Sequence, residues 1–189
     1  MKKPLHNILI CLITISLTSC FSVREYVIDY DYSFNGKFAD YQTFSFLNEV
    51  GREGDPSYFN QVVEDYIRQR MKTQGYIYTD NKYKTDLLLS YRLFYGNMKA
   101  KAYDQPNLEE WVEKTSNKEE DIYRPVEYEF QKGTMYVFML DQQSEEVVWQ
   151  GYANGLIGNP DFFDKNEIKR VIWSIFNQYK LLASGFEQY

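Results

Sequence analysis

Few side chains in this chain of 189 residues could do more than pack or meet water: two cysteines, one histidine and a scatter of carboxylates. Cys20 has the most informative setting. It closes the string Leu17-Thr18-Ser19-Cys20, behind Met1, Lys2, Lys3 and a mostly apolar run from Ile8 to Leu17. A positive start, a short apolar segment and small residues before a cut form the layout of a secretory signal. A membrane-spanning helix needs about 20 apolar residues, and this run is about half that. The spacing therefore predicts cleavage between Ser19 and Cys20 rather than a span.

Leu17-Thr18-Ser19-Cys20 resembles the lipobox of bacterial lipoprotein signal peptides. The resemblance implies a diacylglyceryl thioether on Cys20, cleavage before it, and acylation of the new N-terminus by chains such as palmitate. A thiol is the side chain best suited to such alkylation. Two or more acyl chains anchor stably where one holds only reversibly.

Cleavage at Ser19 would also strip the chain of most other chemistry. His6 and Cys11 leave with residues 1–19, and the lipid consumes Cys20. That excludes Cys/His nucleophile pairs, His-based triads, disulfides and zinc sites built on Cys or His. Carboxylates remain. Asp29 and Asp31 share one face of a strand-like run, and an acid pair can hydrolyse glycosides. No nucleophile or oxyanion motif accompanies them, so a polar, solvent-facing strand side is the preferred reading and no catalytic residue is assigned. Asn159, Asp161, Asp164, Asn166 and Glu167 offer oxygen ligands of the kind calcium takes. Their spacing does not match an EF-hand, and Asp164 with Glu167 fits a helix capping box, so no metal or cofactor is assigned.

Charge narrows the partners. The chain has 21 basic and 27 acidic residues; losing Lys2 and Lys3 leaves 19 against 27, or −8. Such a domain repels phosphate backbones, which argues against nucleic acid. It is also repelled by anionic bilayers, so the acyl chains on Cys20 must make the membrane contact. The 18 Tyr, 13 Phe and 3 Trp fall mostly in strand-like runs and are read first as strand formers, then as a binding face.

The elements that must carry these residues follow from periodicity. A short tether, residues 20–25, leads into a single domain over 26–189. Tyr26, Ile28, Tyr30 and Tyr32 alternate with Val27, Asp29 and Asp31, and Tyr41 to Leu47 is a second strand candidate. Asp55 and Pro56 open a helix striped by Phe59, Val62, Val63, Tyr66, Ile67 and Met71, which Gly75 ends. Asp86 to Tyr95 is apolar on both faces, as a central strand is. Residues 96–127 form a long polar excursion, with room for a short helix around Leu108, Trp111 and Val112. Thr134–Asp141 and Glu146–Asn154 form an antiparallel hairpin. Trp149 and Gly151, two apart, suit a large ring beside a gap left by glycine. A last helix from about Lys165 carries Ile168, Val171, Ile172, Ile175, Phe176, Tyr179 and Leu182. The architecture expected is an α+β two-layer sandwich: one mainly antiparallel sheet of four or five strands, with two helices on one face.

Several strings are similar to one family. They are Val27-Ile28-Asp29-Tyr30-Asp31, Phe38-Ala39-Asp40-Tyr41-Gln42-Thr43-Phe44, Thr85-Asp86-Leu87-Leu88-Leu89, Gly133-Thr134 with Asp141, and Val148-Trp149-Gln150-Gly151. In this order, behind a lipobox, they resemble the bacterial lipoproteins grouped as domain of unknown function 4136. The resemblance implies an envelope lipoprotein of α+β fold without established enzymatic activity, and offers no catalytic residues to carry over. The 96–127 segment is longer or more charged than that family's usual loop.

The function expected is that of a lipid-anchored, non-enzymatic interaction or assembly module, using sheet edges or the 96–127 segment against an envelope protein. The alternative is a periplasmic carrier holding a lipid or glycan between sheet and helices. Phe21, in place of the aspartate that retains enteric lipoproteins in the inner membrane, points to the outer membrane. The lack of an acidic cluster after Cys20 favours its periplasmic leaflet.

Overall fold

Period-two alternation of large apolar side chains builds one sheet and decides which face each helix covers. In the computed structural model, residues 27–47, 57–113, 124–130, 133–156 and 164–186 are described. The proposed signal peptide, Ser19, Cys20 and the tether lie outside these residues, as do Asp55, Pro56, Asn159 and Asp161. The strands are β1 (Val27–Tyr32), β2 (Thr43–Phe46), β3 (Ile77–Tyr78), β4 (Leu87–Phe94), β5 (Met98–Tyr103), β6 (Pro125–Phe130), β7 (Thr134–Asp141) and β8 (Val147–Asn154). The helices are α1 (Ser57–Thr73), α2 (Leu108–Glu113) and α3 (Lys165–Phe176).

Six strands form the main sheet in the order β1-β8-β7-β4-β2-β3. The fold is α+β, as the patterns predict, but the sheet is larger and mixed. β1, β8, β7 and β4 pair antiparallel, whereas β2 runs parallel to both β4 and β3. The parallel pairings follow from α1, which carries the chain from the end of β2 back across the sheet before β3 and β4 begin. β3 escapes sequence reading because two residues show no periodicity.

Leu87, Leu89, Tyr91 and Leu93 of β4 face the helices, as do Met135, Val137 and Met139 of β7 and Trp149 and Ala153 of β8. Phe59, Val63, Ile67 and Met71 of α1 and Ile168, Val171, Ile172, Ile175 and Phe176 of α3 cover them. α1 ends in a Schellman pattern: Gly75, at φ +87°, donates to the Lys72 carbonyl, and Tyr76 donates to that of Met71. Asp164 caps α3, accepting from the Asn166 and Glu167 amides. α3 stops at Phe176, sooner than its stripe suggests; Tyr179 stays buried beyond the helix, but Leu182 reaches the surface at 37% exposure. A bulge opposite Met139/Leu140 inserts one extra residue in β8, so that Val148 and Trp149 are buried in succession.

Residues 96–113 and 124–127 carry two strands and a short helix, where the sequence suggests a polar excursion. β5 and β6 pair as an antiparallel ribbon. Phe130 of this ribbon joins Tyr136 of β7 and Tyr152 of β8 in a second apolar cluster, with Phe94, Tyr128 and Phe138 packed around it. These residues occupy the alternate positions of β4, β7 and β8, so the cluster lies on the sheet face opposite the helices. A third layer therefore covers part of the sheet. α2 follows the ribbon's first strand, and its Leu108 and Trp111 pack into the helix-side core.

Candidate functional site

The carboxylates capable of chemistry hold the fold. Asp86, at the start of β4, accepts from the Gln42 amide at 2.9 Å and from the Thr43 amide and hydroxyl at 2.8 Å each, fixing where β2 begins. Asp141 accepts from the Tyr41 hydroxyl at 2.8 Å and from the Gln143 and Ser144 amides of its own hairpin. Of the oxygen donors considered for calcium, Asp164 caps α3 and Glu167 pairs with Arg170 at 3.0 Å.

Asp29 and Asp31 share a face of β1, as the alternation predicts, but that face is half-buried. It turns toward the ribbon. Each carboxylate accepts the following residue's amide at 2.8 Å, and Asp31 also accepts from the Gln150 side chain at 3.3 Å. Burial raises the Asp31 carboxyl above its ordinary pKa, against the lowering effect of these two bonds, and the Asp29 charge adds to the rise.

Beside Asp31 a cleft of about 150 Å³ opens between sheet and ribbon. Its walls are the rings of Phe94, Tyr128, Phe130, Tyr136, Phe138 and Tyr152. The rings meet mostly edge to face, with Phe130 and Tyr152 at 4.6 Å and 86°, and Phe94 and Tyr136 at 5.3 Å and 82°. Asp31 and Gln150 supply polar side chains at its edge. Tyr136 is 4% exposed, and its hydroxyl has no hydrogen-bond partner among the described residues. Burial raises the pKa of Tyr136, Tyr152 and Tyr128; Asp29 adds to the rise for Tyr152, and Asp29 and Asp31 for Tyr128. All three phenols stay protonated at neutral pH.

Asp31 and Gln150 are also the wall of a larger groove of about 370 Å³, which runs past Ser33, Asn35, Gln105, Tyr103 and Val147. Groove and cleft thus meet across one hydrogen-bonded pair. Between sheet and helices, Phe44, Phe59, Ile67, Trp149 and Phe176 are fully buried in one packed cluster.

The period-two pattern carries most of this site's face: it puts Tyr136, Phe138, Gln150 and Tyr152 opposite the core residues. What it lacks is any sign that the ribbon folds over them. Tyr128 and Phe130 alternate with Glu127 and Glu129, a two-sided pattern masked by the charge of the surrounding segment.

The fold recurs in solved structures. A DUF4136 family protein from Bacteroides thetaiotaomicron superposes with a TM-score of 0.57 at 16% identity, covering 84% of this chain and 99% of its own. A PDZ domain protein from Parabacteroides distasonis superposes with a TM-score of 0.50 at 16% identity, covering 86% of this chain and 36% of its own. These likenesses concern the fold alone. No curated protein matches the sequence. Residues 27–179, from the first strand to just past the last helix, match the family described as Domain of unknown function (DUF4136). The chain belongs to the DUF4136 family.

Proposed function

We propose that this protein is an envelope lipoprotein, anchored in the outer membrane by acyl chains on Cys20 and facing the periplasm, whose domain is a non-enzymatic interaction module. The observation that supports it is the position of the groove along β1 and β8. β1 starts at Val27, seven residues from Cys20, a link that reaches at most about 25 Å. The groove begins at the other end of β1, with Ser33 and Asn35. A tether at one end and an open groove at the other suit a module that meets an envelope protein away from the bilayer. Tyr103 and Val147, 55% and 43% exposed, supply apolar anchors at the groove's rim.

A photoreactive residue at Tyr103 or Val147 is expected to cross-link one envelope protein in living cells. The control is Tyr83, 75% exposed on the loop after β3, outside the groove. The same adducts from Tyr83, or none from the groove positions, would overturn the reading. An N-terminal peptide without acylated Cys20 would remove the anchor.

A second reading, a carrier, is favoured by the cleft beneath the ribbon. Its ligand space lies on the sheet face opposite the helices.

A further inference from the structure

We infer that the groove along β1 and β8 receives a basic segment of an envelope protein, with an Arg or Lys side chain of that segment paired to Asp31 and an apolar neighbour seated on Tyr103 and Val147. This rests on the interaction-module reading and names the chemistry of the partner.

Asp31 carries the argument. It is half-buried in the groove wall, and its carboxylate accepts from two neutral donors, the Tyr32 amide at 2.8 Å and the Gln150 side chain at 3.3 Å. Burial raises its pKa. Among the described residues, the one charge that acts on it is that of Asp29, which raises it further. A carboxylate held out of water beside a like charge costs free energy until a cation meets it. A guanidinium or ammonium arriving through the groove supplies that cation and brings its own hydrogen-bond donors.

The rest of the groove agrees in charge. Its polar side chains are those of Asp31, Ser33, Asn35, Gln105 and Gln150, and its lining includes no Lys or Arg. Asp104 and Glu146, both exposed, flank the lining residues Tyr103 and Val147 in the chain. Lys37, two residues past Asn35, bonds instead to the Gln143 side chain at 3.1 Å. Arg124, whose carbonyl accepts the Asp104 amide, is outside the lining. Acidic groups placed in this way draw in basic chains and turn away acidic ones. Tyr103 and Val147 then separate a peptide from a small cation. Both are exposed at the rim, and a polyamine would leave them uncovered, whereas a segment with an apolar residue beside its cation covers them.

The test is an array of random heptapeptides probed with the detergent-solubilised full-length protein at physiological ionic strength. Bound peptides are expected to be enriched in Arg or Lys next to an apolar residue. Asp31→Asn should weaken the best of them about tenfold, the loss of one charge-assisted hydrogen bond. Asp80→Asn removes the same charge from an exposed site beyond β3, at the opposite edge of the sheet. It should change that binding by less than about twofold, because screening hides so distant a charge. Gln150→Lys sets an ammonium beside Asp31 within the chain and should abolish the preference for basic peptides. No enrichment of basic residues, or the same enrichment and affinity in parent, Asp31→Asn and Gln150→Lys, would overturn the inference. A cross-link at Tyr103 or Val147 without basic enrichment would remove the basic segment while leaving the interaction groove standing.

Discussion

The side-chain amide of Gln105 pairs with the backbone of Tyr32 as a neighbouring strand would. Its Nε2 donates to the Tyr32 carbonyl at 2.8 Å, and its Oε1 accepts the Tyr32 amide at 3.2 Å. β1 is an edge strand, and an open edge invites pairing with other chains. Here one residue covers the exposed end. The Tyr32 hydroxyl donates to the Pro106 carbonyl at 2.8 Å, and the Leu108 amide donates to the Tyr30 hydroxyl at 3.4 Å. These bonds steer the chain around the edge, from the ribbon on one sheet face to α2 on the other.

Gln105→Ala should therefore loosen this crossing without unfolding the sheet. Loss of two half-buried hydrogen bonds is expected to cost about 1–2 kcal/mol. In a protein of this size that is a fall of about 2–8 °C in melting temperature. Cleavage between Tyr103 and Leu108 in limited proteolysis should accelerate. Gln105→Glu keeps the acceptor but sets a carboxylate against the Tyr32 carbonyl, so it should be no better than alanine. Unchanged proteolysis in both variants would show that Pro106 and Leu108 hold the crossing without Gln105.

Gly151 leaves room for the Trp149 ring two residues before it. A Cβ at position 151 would stand 2.3 Å from Cη2 of Trp149 and 2.7 Å from Cγ2 of Ile175. Neither neighbour can retreat easily, since both are fully buried. Gly151→Ala should destabilise by about 1–3 kcal/mol through overpacking, read as a lower denaturation midpoint. Trp149→Phe combined with Gly151→Ala should recover part of that loss. A single variant as stable as the parent would mean that α3 shifts freely.

The strings that resemble the family prove to be the points where distant segments meet. Thr43 bonds to Asp86, Tyr41 to Asp141, and Gly151 lies beneath the Trp149 ring. Local periodicity revealed β4, the β7–β8 hairpin and both long helices, because each buries one regular face. It missed the parallel pairing of β2, which depends on where α1 returns the chain. It also missed the ribbon, in which Tyr128 and Phe130 alternate with paired charges such as Lys99 and Glu129. The cleft depends on that ribbon. Its aromatic wall was therefore legible in the sequence as one side of a sheet, and its cover was not.

Asp141 makes stability depend on acid. Burial alone would raise its carboxyl, but the bonds from Tyr41, Ser144 and Gln143 outweigh burial and hold it below the ordinary value of 3.8. A lowered folded pKa contributes stability that is fully present above the unfolded value and is lost as pH falls through the folded one. The parent should lose stability on acidification below about pH 4. Asp141→Asn should be less stable than the parent at pH 7 and lose less on acidification, so the two curves converge. Parallel curves from denaturant titrations across this range would assign the acid sensitivity to other carboxylates.

Tyr76 and Tyr179 give the opposite dependence at the alkaline end. Their hydroxyls are 2.7 Å apart in the core between α1, the sheet and the C-terminal segment. Burial pushes Tyr76 from 10.0 up to about 12, against the lowering effect of the Tyr179 bond, and raises Tyr179 well above 10.0. A raised folded pKa gives stability that is complete below the unfolded value of 10.0 and fades as pH rises through about 12. Tyrosine absorbance at 295 nm should therefore show a group of buried phenols, Tyr76 and Tyr179 among them, that ionise only as the protein unfolds. Tyr76→Phe leaves the Tyr179 hydroxyl buried without this partner and should cost about 1–3 kcal/mol. Replacing both by phenylalanine removes the stranded group, so the double variant should be more stable than the sum of the singles. Strict additivity would mean that the hydroxyls do not depend on each other and that packing alone holds this end of the core.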